Sequence, residues 1–206
     1  MSAPRIRRLV CLLLALAAAG LVAARIWWVN TELPAIPLEY YGEGEWVPLE
    51  GAYQDETSTE GTEGYSVMVE GAHVTTYDEY LADYGGGGTV QAGTYGNARC
   101  VVDLTLRIKN DGTTSGGLNM FESILVPERG NEYLICDITN EDSLWPQVQK
   151  GAGSVVNIQP GTECVVHVPY VFNGTEEAYY RDVLDKKFTL LVSRMPVRKM
   201  IYVTVE

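Results

Sequence analysis

Histidine is scarce in this chain, and the patterns that usually accompany catalytic or metal-binding residues are missing. The 206 residues include two histidines, His73 and His167. Neither belongs to a His-Glu-x-x-His motif, a Gly-x-Ser-x-Gly elbow or a cluster of cysteine and histidine. In an extended strand both would face solvent, and Cys164, three residues before His167, would point to the opposite face. The sequence therefore predicts a protein that is not an enzyme and that has no catalytic residue, metal site or cofactor.

Two loops have the composition of ligand sites without the spacing that binding requires. Gly85 to Gly88 lacks the Gly-Lys-Ser/Thr ending of a phosphate-binding loop, so we interpret it as a flexible connection. Asp137, Asn140, Glu141 and Asp142 supply the hard oxygens that calcium prefers, but not in the order of an EF-hand loop. A solvated turn is the preferred interpretation there, and calcium binding is the alternative.

Basic residues are absent from a long part of the chain. No Lys or Arg occurs between residues 26 and 98. Four of the 15 basic residues precede Asn30, which leaves 11 basic against 27 acidic residues beyond it and a net charge of −16 there. Such a surface repels nucleic acid and anionic lipid headgroups but accepts cations or basic partners. We therefore expect no nucleic-acid partner.

One long apolar run occurs, at the N-terminus. Three arginines within residues 1–8 precede it, and it covers 21 residues, Leu9 to Val29, with Arg25 as its one charge. At about 1.5 Å per residue, a helix of that length covers the roughly 30 Å of a bilayer's hydrocarbon layer. Arg25 and the Trp27-Trp28 pair suit the headgroup region. Since flanking arginines stay in the cytoplasm, we predict a single-pass membrane anchor with everything after Asn30 outside the cell.

A cleaved secretory signal is the competing interpretation of the same run. Ala17-Ala18-Ala19 offers a small-x-small cleavage site. Cleavage there would leave the apolar residues 21–29 in water, so the uncleaved anchor is preferred. Cys11 lies at the start of the run without lipobox residues around it, and we interpret it as an ordinary residue of the anchor.

Three cysteines lie beyond the anchor, at positions 100, 136 and 164. An odd number cannot form a complete disulfide framework, and each of the three is in phase with aliphatic neighbours. Buried reduced thiols are the preferred interpretation, and a single bridge with one free thiol is the alternative.

The composition divides the chain into four parts. Residues 1–8 form the basic end, 9–29 the anchor, 30–63 an acidic tether rich in Pro and Gly, and 64–206 a folded domain. Within the domain, Cys100 to Lys109 alternates most clearly, with one apolar face and one solvent-exposed face that carries Asp103. The other predicted strands cover Tyr65–Val69 with Ala72–Val74, Met120–Val126, Tyr133–Ile138, Ser154–Ile158, Thr162–Val171, Phe188–Arg194 and Met200–Val205.

Local signals add a bulge and two short helices. Gly71 interrupts an alternating strand and predicts a bulge. Thr76 and Glu79 form a capping box for a short helix that places Tyr77, Tyr80, Leu81 and Tyr84 on one face. A second short helix is predicted over residues 173–182. Because seven to nine short strands with one apolar face each must bury it together, we expect an all-β antiparallel sandwich of two packed sheets.

Several short motifs give the chain a family resemblance. They are Gly44–Leu49, Gly64–Val67, Tyr77–Leu81, Leu106–Asn110, Pro160–Glu163 and Leu184–Phe188, together with Trp27–Asn30 at the membrane exit. The chain resembles an uncharacterised family of signal-anchored exported proteins of Gram-positive bacteria, and its central part is similar to small immunoglobulin-like extracellular domains. The resemblance implies an exported location and an immunoglobulin-like β-sandwich. It implies no catalytic or ligand residues.

These observations lead to one preferred function and one alternative. We expect a non-enzymatic interaction or accessory module in the cell membrane, with its C-terminal domain extracellular and a protein partner at the cell envelope. The alternative is a small-ligand binding domain, for calcium at residues 137–142 or for a cell-wall glycan on exposed tyrosines such as Tyr40-Tyr41 and Tyr179-Tyr180.

Overall fold

A computed structural model describes residues 3–32, 35–56, 60–84, 100–129, 133–136, 155–172 and 187–206. The chain forms two compact units, Met1–Ile36 and Pro37–Glu206. Four predicted features lie outside the described residues: the glycine loop at 85–88, the loop at 137–142, the helix at 173–182 and the tyrosines at 179 and 180.

The first unit contains one long helix, α1, from Ala3 to Glu32. Within the described part of the chain, it alone is long and apolar enough to cross a membrane, with a mean hydropathy of 2.5 over its most apolar window and none of that window buried. An N-terminal signal sequence would have the same properties. Near its end the Arg25 guanidinium lies 4.5 Å from the centre of the Trp28 ring, a cation–π contact. The predicted N-terminal apolar helix is therefore confirmed, and either an anchor or a signal peptide is consistent with it.

The second unit is mostly β-sheet. Its strands are β1 (Leu38–Tyr41), β2 (Val47–Pro48), β3 (Tyr65–Thr76), β4 (Cys100–Asn110), β5 (Leu118–Asn119), β6 (Ile124–Pro127), β7 (Leu134–Cys136), β8 (Val155–Val156), β9 (Thr162–Phe172), β10 (Lys187–Ser193) and β11 (Arg198–Thr204), and the helix α2 (Tyr77–Tyr84) follows β3.

Nine of these strands form one sheet in the order β1-β11-β10-β6-β7-β9-β4-β3-β2, and β5 pairs with β8 separately. The sheet nearly closes on itself, because the end of β11 reaches β3. Glu206 N donates to Ala72 O (3.0 Å), and Val74 N donates to Glu206 O (3.2 Å). The sheet is therefore barrel-like, and the predicted immunoglobulin-like sandwich of two packed sheets is not confirmed.

The alternation predicted for the central strands holds on their inner face. In β4 the residues Cys100, Val102, Leu104, Leu106 and Ile108 all lie in the buried core. β3 and β4 pair along their whole length, with one register shift between Val69 and Gly71. The predicted bulge at Gly71 is therefore confirmed, and the two short predicted strands around it are one strand.

Residues 38–56 and 60–63, which belong to the predicted tether, enter the fold. β1 pairs in parallel with β11, and β2 pairs with β3. Val47 and Leu49 are completely buried, and Leu49 N donates to Tyr65 O (2.8 Å). The physical reason is that these apolar side chains complete the core, which outweighs the polar composition around them.

A buried lysine fastens this segment to the last strand. Lys199, on β11, is only 2% exposed, and its Nζ donates to Pro48 O and to Glu50 Oε2 (3.2 Å). The Glu39 carboxylate on β1 lies 3.5 Å from the same nitrogen. An ammonium so far from water needs such partners, and they join β1, β2 and β11 at one point.

The three cysteines of the second unit carry free thiols. Cys100 and Cys136 are buried and Cys164 is half-buried. Burial raises the pKa of the Cys100 thiol to about 11 and also raises the pKa of Cys164. The preferred interpretation of buried reduced thiols agrees with this arrangement, since protonated thiols are inert.

Candidate functional site

The helix α2 covers part of the outer surface of the barrel. Its capping box has the predicted bonds: Thr76 N donates to Glu79 Oε2 (3.1 Å), and Glu79 N donates to Thr76 Oγ1 (3.1 Å). The bond from Thr76 N to the charged carboxylate, with further bonds from the threonine hydroxyls, lowers the pKa of Glu79. The box fixes where the helix begins, and so which face of it meets the sheet.

That face packs on β4 and β9. Tyr80 and Val101 are completely buried, and Leu81, Tyr84 and Val171 pack around them. The Tyr80 hydroxyl donates to the backbone oxygen of His167 (2.7 Å). The helix face predicted from the sequence is therefore confirmed for Tyr80, Leu81 and Tyr84.

Below the end of α2 lies Asp103, which is the centre of the candidate site. The sequence predicted it on the solvent-exposed face of β4, and this was wrong: its side chain is 0% exposed. Asp103 does lie on the outer face of β4, but α2 covers that end of the strand. An aspartate without access to water needs hydrogen-bond donors to compensate for lost hydration.

Two histidines from the neighbouring strands approach this carboxylate. The Nδ1 atom of His167, on β9, lies 3.1 and 3.2 Å from the two carboxylate oxygens of Asp103. The Nε2 atom of His73, on β3, lies 3.7 Å from Oδ2. The His167 side chain is 25% exposed and that of His73 is 48% exposed. The prediction that both face solvent is thus wrong for His167, which α2 and its own carboxylate partner enclose.

Tyr84 completes the cluster from the helix side. Its ring stacks on the His167 imidazole, with 4.2 Å between ring centres and 18° between planes. Burial, a hydrogen bond to Asp103 and the negative charge of Asp103 raise the pKa of the Tyr84 hydroxyl to about 12. The hydroxyl therefore stays protonated and serves as a donor to the carboxylate.

In this arrangement the buried carboxylate of Asp103 orients the imidazole of His167, and such a pair can hold a proton at a defined ring nitrogen. Because ionised Asp103 can only accept hydrogen bonds, His167 must carry a proton on Nδ1 to bond it. Thr105 Oγ1 lies 3.4 Å from the same ring nitrogen. Chemically, the cluster can pin α2 to the sheet or keep His167 in one tautomer.

The structure does not bring Cys164 to this cluster. Cys164 pairs with Ile108 on the core side of the sheet, whereas His167 pairs with Thr105 on the outer side. The sequence placed these two side chains on opposite faces, and the register confirms it. Within the described ranges, no group of three or more His, Cys, Asp or Glu side chains is arranged to hold a metal ion.

Of the tyrosines considered for glycan binding, Tyr40 and Tyr41 are described. Tyr40 is 51% exposed and stacks on Tyr202 of β11, with ring centres 5.4 Å apart. Tyr41 points the other way, and its hydroxyl donates to Glu39 Oε2 (2.7 Å). Burial, followed by this bond, raises the pKa of Tyr41 to about 12. The sequence did not connect Tyr40 with Tyr202, because they lie about 160 positions apart.

Comparison with known proteins found no match among curated proteins and none among solved structures. One family model matches, described as a domain of unknown function (DUF5028), and it matches residues 38–199. That range begins at the first residue of β1 and reaches the second residue of β11, so it includes Asp103, both histidines and Tyr40, whereas Tyr202 lies beyond it. The chain therefore belongs to the DUF5028 family.

Proposed function

We propose that the protein is a membrane-anchored interaction or accessory module, not an enzyme, whose barrel-like domain lies outside the cell and binds a protein partner at the envelope. The resemblance to exported proteins of Gram-positive bacteria, and to small immunoglobulin-like extracellular domains, is part of this proposal. The partner's surface is basic, because the chain beyond Asn30 carries 27 acidic and 11 basic residues.

The observation that carries the proposal is the exposure of α1. Leu12, Leu14 and Leu16 are each more than 60% exposed. An apolar surface of this length is stable in a bilayer and not in water. The three arginines within residues 1–8, directly before the apolar run, favour a cytoplasmic N-terminus.

A non-enzymatic role is supported by the way the candidate site is used. Tyr80 and Tyr84 of α2 bond or stack on His167, and Asp103 is enclosed beneath them. These contacts stabilise the position of a helix on a sheet. They explain why Asp103 is buried, and no bound substrate is needed for that explanation.

Orientation can be tested by cysteine labelling in intact cells. Thr113 is exposed in the turn after β4, and Ala3 begins α1. A membrane-impermeant maleimide should label Thr113→Cys in intact cells and Ala3→Cys only after lysis. The reverse pattern, or labelling of Thr113→Cys only after lysis, contradicts the proposed location.

Retention of the anchor is a separate measurement on the same cells. The intact mass of the membrane-bound protein should include residues 1–30. A mass that corresponds to a protein starting after Ala19 would show cleavage and would exclude the anchor, whatever the domain binds.

Partner binding can be tested with a photo-crosslinking amino acid at Val165. This residue is 38% exposed on the outer face of β9, next to Arg107, which pairs with Glu70 and Glu163. We expect one recurrent protein adduct whose yield falls as salt rises, since screening weakens contacts between exposed charges. Placement of the crosslinker at Leu104, which is completely buried, is the matched control. Equal adducts from both positions, or none from Val165 at low salt, contradict the proposal.

A further inference from the structure

One face of the barrel differs in charge from the rest of the second unit. Thr189, Leu191 and Thr204 share the outer side of β1, β10 and β11 with six other side chains, which strand register and alternation place there: Leu38, Tyr40, Lys187, Arg198, Met200 and Tyr202. We call these six residues the aromatic face. No outward position of the three strands carries an aspartate or glutamate. Glu39 lies between Leu38 and Tyr40 and pairs with Lys199 on the inner side of the sheet. Glu43 reaches the backbone nitrogen of Thr204 (3.3 Å) at the edge of β11.

The aromatic face is also the apolar part of this surface. Leu38, Tyr40 and Tyr202 are 53%, 51% and 55% exposed, and the two tyrosine rings are nearly parallel, at 16°. In contrast, the outer surface of β4 and β9 is either covered by α2 or carries ion pairs such as Arg107 with Glu70 (2.6 Å). An exposed patch of this kind is typical of a docking surface.

The chain itself limits how far this face can be from the membrane. Five residues separate Glu32, the end of α1, from Leu38, the start of β1. Since an extended chain advances at most about 3.6 Å per residue, the gap cannot exceed roughly 20 Å. The first strand after the helix, which carries two residues of the aromatic face, therefore starts within that distance of the point where the helix ends.

We propose that the aromatic face docks on the headgroup region of the bilayer that holds α1. The inference rests on the membrane anchoring stated under Proposed function. Tyrosine suits this region because its ring is apolar and its hydroxyl stays hydrated. Lys187 and Arg198 bind lipid phosphates, while the carboxylate-rich remainder of the domain is repelled from them and faces away.

The test uses the full chain in nanodiscs and hydroxyl-radical footprinting of tyrosines. A specific protease site inserted between Glu32 and Leu33 allows the same folded protein to be footprinted before and after release from the disc. Tyr133, 46% exposed and outside the aromatic face, is the internal reference. We expect the oxidation of Tyr40 and Tyr202, relative to Tyr133, to rise severalfold on release. An unchanged ratio overturns the proposal.

Variants and lipid composition sharpen the result. In discs, Tyr202→Glu should increase the oxidation of Tyr40 relative to Tyr133 by more than it does after release, whereas Val165→Glu, at a position 38% exposed and outside the aromatic face, should not increase it; equal effects overturn the proposal. Protection should be greater in discs that contain phosphatidylglycerol than in pure phosphatidylcholine, because of Lys187 and Arg198. If protection of the tyrosines disappears in discs that contain phosphatidylglycerol, repulsion between these lipids and the acidic remainder of the domain dominates, and the proposal is overturned.

Two controls separate this inference from others. If the chain does not elute with the discs at all, membrane anchoring itself fails. If it elutes with the discs and the tyrosines are unprotected, only docking fails. Protection that occurs in discs with two copies and is lost in discs with one copy identifies a second chain as the occupant and overturns lipid docking.

Discussion

The clearest test of the candidate site compares the two histidines that approach Asp103. His167→Ala removes a ring nitrogen 3.1 Å from a carboxylate that is 0% exposed, together with the imidazole on which Tyr84 stacks. His73→Ala removes a side chain that is 48% exposed and 3.7 Å from the same carboxylate. The residue type and the acceptor are the same, so the two variants differ in burial, in distance and in the stacking with Tyr84.

The two substitutions should differ several-fold in cost. A hydrogen bond to a buried charged group contributes about 1.5 to 3 kcal/mol, and a stacked aromatic pair adds roughly 0.5 to 1.5 kcal/mol. We therefore expect His167→Ala to lower the free energy of unfolding by about 2 to 4 kcal/mol. For a domain of this size that is a loss of roughly 4 to 16 °C in Tm, because 1 kcal/mol corresponds to about 2 to 4 °C. For His73→Ala we expect at most about 1 kcal/mol.

The assay is thermal unfolding of the full chain in detergent micelles, followed by the near-ultraviolet circular dichroism of its tyrosines. A double-mutant cycle with Asp103→Asn should then give a coupling energy of about 1 kcal/mol or more for Asp103 and His167. Equal losses for the two histidine variants, or strict additivity with Asp103→Asn, would refute the assignment of His167 as the partner that compensates the buried carboxylate.

Three further predictions concern a close backbone approach and two titrating groups. Gly64→Ala should lower the urea midpoint of unfolding clearly, because the backbone there has a φ of +83° and the added Cβ would clash with the backbone of Gly112. Gly44→Ala, where φ is +80° and the space is open, should lower the midpoint less. Equal losses for the two variants would contradict this. Tyr84→Phe should be less stable than the wild type below pH 10, because the raised pKa means that the folded state stabilises the protonated Tyr84 hydroxyl. The difference in stability should shrink as the pH rises through the pKa of about 12. A constant gap in urea midpoints between pH 8 and 12 would contradict this. Glu79→Gln should be less stable than the wild type above pH 4.5, the ordinary glutamate pKa, because the lowered pKa of Glu79 shows that the folded state stabilises the charged capping carboxylate. Below that pH the urea midpoints of the variant and the wild type should converge. A gap that persists in acid would count against the capping box.

Local features of the fold could be read from the sequence because local chemistry determines them. The bulge at Gly71, the box formed by Thr76 and Glu79, and the inner face of β4 each depend on neighbouring residues or on a period of two. The N-terminal helix could be predicted for the same reason, since it needs only a sufficiently long apolar run.

Features that depend on distant pairing could not be read in this way. The pairing of β1 with β11 joins residues about 160 positions apart, and it places residues 38–41 of the predicted tether in the sheet. Alternation places Asp103 on the outer face of β4 but does not say that α2 covers that end of the strand. The tyrosine face of α2, which must pack on something, was the one signal in the sequence that pointed to a covered surface.

The pairing of β1 with β11 also determines when folding can finish. β1 cannot pair until β11, about 160 residues later in the chain, has been synthesised, and the sheet nearly closes where the Glu206 backbone bonds Ala72 and Val74 of β3. A nascent chain that has not yet produced β11 therefore exposes an unpaired edge of β10, and such edges are prone to aggregate. Deletion of residues 198–206, which form β11 and the bonds to β3, should thus lower the yield of folded protein more than the length of that segment suggests.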